Sequence, residues 1–142
     1  MIFFTDNCTE TEKLGLEIAK KLPKGAFVAM YGDLGTGKTA FVRGALKQLC
    51  PDAHVSSPTY TVMNTYNGKE TVYHFDLYRI TDDDDLYSTG FYDITESGNI
   101  VFCEWCENCP RAVPEGAVTV NIERICGEGN EDKRRITVEG LC

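Results

Sequence analysis

The fold is decided by one short stretch, GDLGTGKT, which runs from Gly32 to Thr39. It follows an almost continuous apolar run (residues 26–31, AFVAMY) and leads into a segment with helical apolar spacing (residues 38–50). The apolar run predicts a strand buried on both faces, and the spacing after it predicts an amphipathic helix. We call residues 32–39 the glycine-rich loop. Its sequence matches the pattern G-x-x-x-x-G-K-[ST], which binds phosphate groups between a strand and a helix.

The residue types of the glycine-rich loop suit a nucleoside triphosphate. Glycine lets the backbone turn successive amides toward phosphate oxygens, and the next helix adds its N-terminal amides and positive dipole end. The ammonium group of Lys38 can reach the β- and γ-phosphates, and the hydroxyl of Thr39 can bind Mg²⁺. We therefore predict a nucleoside triphosphate site, against the alternative of a structural turn with an exposed lysine.

A triphosphate site of this kind needs a carboxylate near the end of a neighbouring strand. Asp76 closes a β-prone run (residues 71–75), and Glu104 directly follows a second apolar run (residues 99–103). Either acid alone could be an ordinary residue at a strand end, but two of them favour a metal site. Between the helix and the next strand, Ser57-Pro58-Thr59 suits a switch segment, although an ordinary Ser-Pro turn explains the pattern equally well.

The rest of the chain mixes helices with hairpins. A Thr-x-x-Glu pattern predicts a helix that starts at a capping box and ends before Pro23, and four consecutive acids predict a short helix start. Asn-Gly favours an antiparallel hairpin, and a second hairpin is predicted near the C-terminus. The segments concerned are Thr9 to Glu12, Asp82 to Asp85, the runs 60–66 and 71–75, and the runs 118–125 and 134–138.

Composition limits the function classes. The 142 residues predict one domain, and 14 Lys+Arg against 22 Asp+Glu give a net charge of −8. Such an acidic chain argues against direct binding of nucleic-acid phosphates, because that needs clustered basic residues. No apolar stretch approaches the ~18 residues of a membrane span, and the N-terminal residues do not resemble a signal peptide. We therefore expect a cytoplasmic protein that makes no membrane contact.

The seven cysteines are an odd number, so they cannot all pair within the chain. We expect reduced thiols. The Cys-x-x-Cys-x-x-Cys series formed by Cys103, Cys106 and Cys109 leaves a zinc or iron–sulfur site open as an alternative. His74, between two apolar strand residues, is predicted to be a hydrogen-bonded strand histidine rather than a general base.

Four motifs, read together, closely resemble the TsaE family of small bacterial ATPases, which are required to form threonylcarbamoyladenosine on tRNA. The more diagnostic ones are HFDLYR and the Glu-Trp pair, since the glycine-rich loop alone is shared widely. In order, the motifs are YGDLGTGKT (31–39), SPTY (57–60), HFDLYR (74–79) and Glu104-Trp105. The resemblance implies an α/β fold: a single-domain P-loop NTPase variant over residues 1–142, with a mixed parallel/antiparallel sheet flanked by helices.

The resemblance also implies roles for individual residues and two cofactors, ATP and Mg²⁺. Lys38, Asp76 and Glu104 would be catalytic, and Thr39, Asp76 and Glu104 would bind the metal. Thr11 would lie near the base, which a basic residue of the last hairpin, Arg135, would cover. The full set implied for nucleotide binding is Thr11, Asp33, Leu34, Gly35, Thr36, Gly37, Lys38, Thr39, Thr59, Trp105 and Arg135.

The partners are likewise implied by the resemblance. The ATPase would act with a threonylcarbamoyl transferase and its dimerisation partner, a TsaD–TsaB-like complex that nucleotide hydrolysis drives or resets. The chain would contact tRNA only indirectly, through that complex. Two other classes stay open: a small P-loop kinase, which would need an acceptor site and usually a basic lid, and a nucleotide-dependent binding switch with little hydrolysis.

Overall fold

The computed structural model describes residues 1–33, 35–58 and 62–141. Within these ranges seven strands form one sheet, four α-helices pack against it, and two short 3₁₀ turns (residues 106–108 and 110–112) follow the fifth strand. The elements are β1 (Ile2–Thr5), α1 (Cys8–Lys21), β2 (Phe27–Tyr31), α2 (Lys38–Leu49), β3 (Met63–Asn67), β4 (Thr71–Asp76), α3 (Asp83–Ser88), α4 (Phe91–Thr95), β5 (Ile100–Glu104), β6 (Val118–Arg124) and β7 (Arg134–Glu139).

The sheet is parallel at its centre and antiparallel at both sides. The strand order is β1-β7-β6-β2-β5-β4-β3. The four central strands β6, β2, β5 and β4 run parallel to one another, whereas β3 pairs antiparallel with β4, and β7 pairs antiparallel with both β6 and β1. This is the predicted α/β fold with a mixed sheet flanked by helices, and both predicted hairpins are confirmed within the described residues.

Both faces of the central sheet are covered, which explains why β2 is apolar throughout. Val28 and Met30 belong to the core under α1 and α2, while Phe27 and Ala29 belong to a second core with α3, α4 and the 3₁₀ turns. Alternate residues of a strand point to opposite faces, so a strand covered on both sides shows no polar alternation. The parallel sheet therefore holds the loop that follows β2 on a rigid base.

Helices α1 and α2 approach each other unusually closely because glycine lies at their contact. A Cβ added to Gly44 would lie 1.8 Å from the Glu12 carbonyl oxygen, and one added to Gly15 would lie 2.1 Å from that of Phe41. Across the same contact the Glu12 carboxylate accepts hydrogen bonds from Arg43 and Lys47, both at 2.9 Å. These interactions fix α1 against the helix that starts the predicted triphosphate site.

The predicted capping box of α1 is wrong by two residues. Asn7, not Thr9, is the N-cap, and its side chain accepts a hydrogen bond from the Glu10 amide at 2.9 Å. Glu10 in turn accepts one from the Asp6 amide at 2.9 Å. Glu12 cannot serve the cap because it binds α2 across the interhelical contact. Asn is at least as favourable as Thr at an N-cap, so the Thr-x-x-Glu match alone does not locate the start of the helix.

Two elements were not predicted from the sequence. β1 is too short to show a period, and its place in the sheet comes from antiparallel pairing with β7, far away along the chain. α4 begins after Gly90, which adopts a left-handed conformation, and only one of its residues, Phe91, is fully buried. No helix among the described residues has the length and apolar character needed to cross a bilayer.

Candidate functional site

The glycine-rich loop leaves the end of β2 and delivers the chain into α2. Gly37, the residue before the helix, has a φ of +113°, and Gly32 at the start of the loop has a φ of +144°, which side chains rarely tolerate. The loop is closed by Thr36, whose amide and hydroxyl donate to the Asp33 carbonyl oxygen at 3.3 and 3.0 Å. No described side chain caps α2, so its first amides are available to an anion.

Lys38 occupies the space that the loop encloses. Its side chain is buried, with the residue only 5% exposed, and Nζ donates to the Gly32 carbonyl oxygen at 2.6 Å. The same ammonium lies 4.3 Å from the centroid of the Trp105 ring, which is the geometry of a cation–π contact. A buried ammonium with one carbonyl acceptor and a ring face is well placed to accept anionic oxygens as stronger partners.

Two buried carboxylates lie beside the loop because of the sheet register. Asp76 ends β4 and Glu104 ends β5, and the two residues are direct partners in the parallel ladder. Both are almost completely buried. The Asp76 carboxylate accepts a hydrogen bond from the Tyr78 amide at 2.9 Å, and that of Glu104 is hydrogen-bonded to His74 Nε2. The sequence therefore correctly placed both acids at one edge, and His74 is the predicted hydrogen-bonded strand histidine.

These groups share one cavity of about 240 Å³. It brings together loop backbone, one ammonium, two hydroxyls, two carboxylates and an indole. The lining residues are Gly35, Gly37, Lys38, Thr39, Ser57, Asp76, Glu104 and Trp105. Ser57 comes from the predicted switch segment. The predicted residues Leu34 and Thr59 lie outside the described residues.

The oxygen atoms in this cavity fit Mg²⁺. This cation binds carboxylate, hydroxyl and phosphate oxygens, and it is commonly held by one or two carboxylates together with substrate phosphates rather than by an all-protein cage. Thr39, Asp76 and Glu104 supply one hydroxyl and two carboxylates to the lining of this cavity. Among residues 1–33, 35–58 and 62–141, no group of three or more His, Cys, Asp or Glu forms a metal cage.

Trp105 has a backbone conformation that is rare for a bulky residue. Its φ of 59° and ψ of 38° lie in the left-handed region, directly after Glu104 and before the first 3₁₀ turn. Such residues cost about 1–3 kcal/mol and cluster at functional sites. The turn points the indole back over Lys38 and against Tyr78, with ring centroids 5.0 Å apart. The predicted Glu-Trp pair thus contributes both side chains to one cavity.

A second cavity, of about 180 Å³, adjoins the loop beside α1. Thr11 lines it together with Thr36, Ala40 and Arg134. The Arg134 guanidinium reaches the loop, since its Nε donates to the Thr36 carbonyl oxygen at 2.7 Å. Arg135, which the resemblance places over the base, is exposed and does not line this cavity. Adjacent residues of a strand point to opposite faces, so Arg134 and Arg135 lie on opposite sides of the sheet.

The sequence placed a basic residue of the last hairpin near the nucleotide but did not predict that Arg124 and Arg134 contact the loop. Besides Arg134, Arg124 at the end of β6 comes close, because a Cβ added to Gly35 would lie 2.8 Å from one of its guanidinium nitrogens. The arginines are separated from the loop by roughly ninety residues of chain, and no local pattern links them to it. The only available signal was their position in a predicted hairpin.

The three-cysteine series is buried beside this site. Cys103, Cys106 and Cys109 are free thiols in the second core. Burial raises the pKa of the Cys103 thiol, and a hydrogen bond with the Cys106 side chain raises it further. The Cys106 thiol also donates to the Cys103 carbonyl oxygen at 3.3 Å. Thiols with raised pKa values are poor nucleophiles, so the expectation of reduced cysteines stays a prediction with this physical support.

Comparison with known proteins gives the family. The profile of the family described as "Threonylcarbamoyl adenosine biosynthesis protein TsaE" matches residues 5–136. The chain belongs to the TsaE family. Two relatives, both named tRNA threonylcarbamoyladenosine biosynthesis protein TsaE, come from Treponema pallidum and Haemophilus influenzae. The first is 33% identical over 129 residues (91% of this chain, 93% of the relative), and the second is 40% identical over 110 residues (75% and 70%).

A solved structure supports the fold of this TsaE-family chain. The crystal structure of Bacillus subtilis YdiB superposes with a TM-score of 0.77 at 25% sequence identity. The match covers 97% of this chain and 83% of the YdiB chain. The mixed sheet with helices on both faces is therefore shared with that protein, and the family resemblance predicted from the four motifs is confirmed.

Proposed function

We propose that this chain binds ATP with Mg²⁺ at the glycine-rich loop and hydrolyses it in support of threonylcarbamoyladenosine modification of tRNA. Family membership supports the pathway. One observation supports ATP hydrolysis most directly. A single cavity at the carboxyl ends of parallel strands is lined by Lys38, Thr39, Asp76 and Glu104. In open parallel sheets this edge is where ligands bind.

Each residue of the cavity has a defined task in this proposal. The loop amides and the Lys38 ammonium bind the phosphate oxygens, and the ammonium gives up its contact with the Gly32 carbonyl oxygen to do so. Thr39, Asp76 and Glu104 hold Mg²⁺, which neutralises charge on the phosphates when it is bound. Thr11 and Arg134, at the second cavity, bind the nucleoside part of ATP.

Hydrolysis transfers the γ-phosphoryl group to water. A bond forms between the water oxygen and the γ-phosphorus while the bond to the bridging β–γ oxygen breaks, which leaves ADP and inorganic phosphate. Asp76 or Glu104 orients the water by accepting one of its hydrogen bonds, because both carboxylates line the cavity that would receive the γ-phosphate. Burial of the two acids keeps bulk water from competing with that single oriented molecule.

The proposed partner is a transferase with its dimerisation subunit, a TsaD–TsaB-like complex. A net charge of −8 suits a chain that leaves tRNA to its partners. In this proposal ATP hydrolysis drives or resets the complex, and the chain does not itself form the threonylcarbamoyl group. A site that depends on a partner should turn over slowly alone, since the partner would complete the positioning of water.

We predict weak ATPase activity for the purified chain and a clear rise when the transferase pair is added. The measurement is phosphate release with Mg²⁺, with product analysis to distinguish water from another phosphoryl acceptor. Asp76→Ala and Glu104→Ala should each lower turnover about 100-fold, the scale for loss of a group that stabilises the transition state. No rise with partners would contradict the proposal, and phosphate found on an acceptor would indicate a kinase instead.

A further inference from the structure

His74 is a fully buried titratable side chain that the proposed mechanism does not use. It lies on β4 two residues before Asp76, and its strand pairs in parallel with β5, which ends at Glu104. Residues two apart on a strand share a face, so His74 lies behind Asp76 on the side of the core under α2. It is not among the residues that line the nucleotide cavity. It can therefore act on the reaction only through another residue.

The hydrogen bond of His74 shows which ring nitrogen faces Glu104. Nε2 is hydrogen-bonded to Glu104 Oε2, while the buried Nδ1 has no hydrogen-bond partner among the described residues. A proton on Nδ1 would be a buried donor without an acceptor, whereas an unprotonated Nδ1 leaves only an unused lone pair. A carboxylate oxygen accepts hydrogen bonds, so the contact with Glu104 requires an N–H group on Nε2 that donates to it.

We propose that His74 is a positioning residue that holds Glu104 in the orientation needed at the nucleotide. Its Nε2–H group donates a hydrogen bond to Glu104 Oε2, which restricts rotation of the carboxylate. The other oxygen, Oε1, then remains for the metal or the attacking water. Mutation of a residue that hydrogen-bonds to a metal ligand, without binding the metal itself, typically lowers metal affinity or activity by about 10–100-fold. The proposal rests on the proposed function only in assigning Glu104 to the nucleotide–metal site.

Two variants separate hydrogen bonding from packing. In His74→Gln the amide nitrogen can take the position of Nε2, and in His74→Asn it takes the position of Nδ1 and cannot reach Glu104. We expect His74→Gln to stay near the wild-type turnover and His74→Asn to lose about 10–100-fold, with ATP affinity changed little in either. ATP affinity is read from the fluorescence of Trp105, the single tryptophan, which lies against Lys38.

A double-mutant cycle tests whether His74 acts through Glu104. In the Glu104→Ala background, His74→Asn should cause no further loss of turnover, because the group that it orients is already absent. Additive losses would overturn the proposal, as would equal losses in the Gln and Asn variants or no loss in the Asn variant. Thermal unfolding of each variant shows whether a loss reflects folding.

A measurement without turnover tests the hydrogen bond between His74 and Glu104 even if the variants unfold or the wild type proves not to be an ATPase. The chain has two histidines, His74 and the exposed His54, so ¹⁵N-labelled imidazole signals can be assigned with His54→Gln as the control. We expect one signal pair in which Nε2 carries a proton that is protected from exchange. A ring with no proton on Nε2 would overturn the proposal. Absent ATP hydrolysis with the Nε2–H tautomer present would instead count against the proposed function alone.

Discussion

At the scale of single residues, Arg134 and Arg135 are neighbours with different surroundings. Arg134 donates to the Thr36 carbonyl oxygen and lines the cavity beside Thr11, whereas Arg135 is exposed on the other side of β7. The hydrogen bond ties the last hairpin to the glycine-rich loop across 98 residues of chain. Arg134 therefore supports the loop conformation, and in the proposed function it also contacts the nucleoside.

We expect Arg134→Ala to weaken ATP binding about tenfold, which corresponds to the roughly 1.5 kcal/mol of one hydrogen bond from a charged group. Arg135→Ala is the matched control and should leave the affinity unchanged, since its side chain does not face the loop. Isothermal titration with ATP and Mg²⁺ measures both. A larger effect from Arg135 would show that the nucleoside lies on the opposite face of the hairpin.

Whether a residue of the proposed site could be predicted depends on whether the sequence around it carries a local pattern. Lys38 and Thr39 could be predicted because a continuous motif fixes them, and Asp76 and Glu104 because each closes a predicted strand. Arg134 could not, because a shift of one residue in strand register reverses the face of every side chain, and the sequence does not reveal the register.

At the scale of elements, the contact between α1 and α2 depends on glycine. Alanine normally stabilises a helix by about 1 kcal/mol relative to glycine. Gly44→Ala should instead destabilise the fold by about 2 kcal/mol, because its Cβ would overlap the Glu12 carbonyl oxygen of α1. Urea unfolding measures the change. The exposed Lys13→Ala on α1 should shift it by less than about 0.5 kcal/mol, and a stabilising Gly44→Ala would contradict the close helix contact.

The charged contact between the same helices predicts a pH dependence. The pKa of Glu12 is lowered from 4.5, chiefly by its hydrogen bond with Lys47 and against the opposing effect of burial, with further help from Arg43. A lowered folded-state pKa means that the stabilisation is complete above the unfolded value and is lost as the pH falls through the folded value. Both basic partners are partly exposed, so the contribution is only about 1 kcal/mol.

Glu12→Gln should therefore lower the free energy of unfolding by about 1 kcal/mol near pH 7 and by much less near pH 3. Glu17→Gln, which removes an exposed pair with Lys20, is the control and should have little effect at either pH. Urea unfolding at both pH values provides the comparison. A difference that persists undiminished at the lower pH would show that Glu12 stabilises the helices by packing rather than by charge.

Elements with their own period or turn signal were predictable, and those that depend on distant pairing were not. β2, α2 and the Asn-Gly hairpin of β3 and β4 appear where the sequence places them. β1 exists because it pairs with β7, so a distant contact decides it. The cap of α1 was mispredicted for a local reason, because Asn7 caps the helix through the Glu10 amide two residues before the Thr-x-x-Glu match.

At the scale of the whole molecule, the order of strands assembles the site. β5 lies beside β2, and β4 lies beside β5, so Asp76 and Glu104 reach the same edge as the loop although long segments separate them in sequence. On the other side of β2, the hairpin of β6 and β7 supplies Arg134. The metal side and the nucleoside side of the proposed ATP site thus belong to opposite halves of one sheet.

The most direct test of this account is calorimetric titration of the chain with Mg²⁺ and a non-hydrolysable ATP analogue, compared with Lys38→Ala. Calorimetry is preferable to fluorescence here, because removing Lys38 also removes its contact with Trp105. We predict saturable binding by the wild type and by the control Lys24→Ala, which alters an exposed lysine, and no measurable binding by Lys38→Ala. Equal affinities for the wild type and Lys38→Ala would contradict the assignment of the glycine-rich loop.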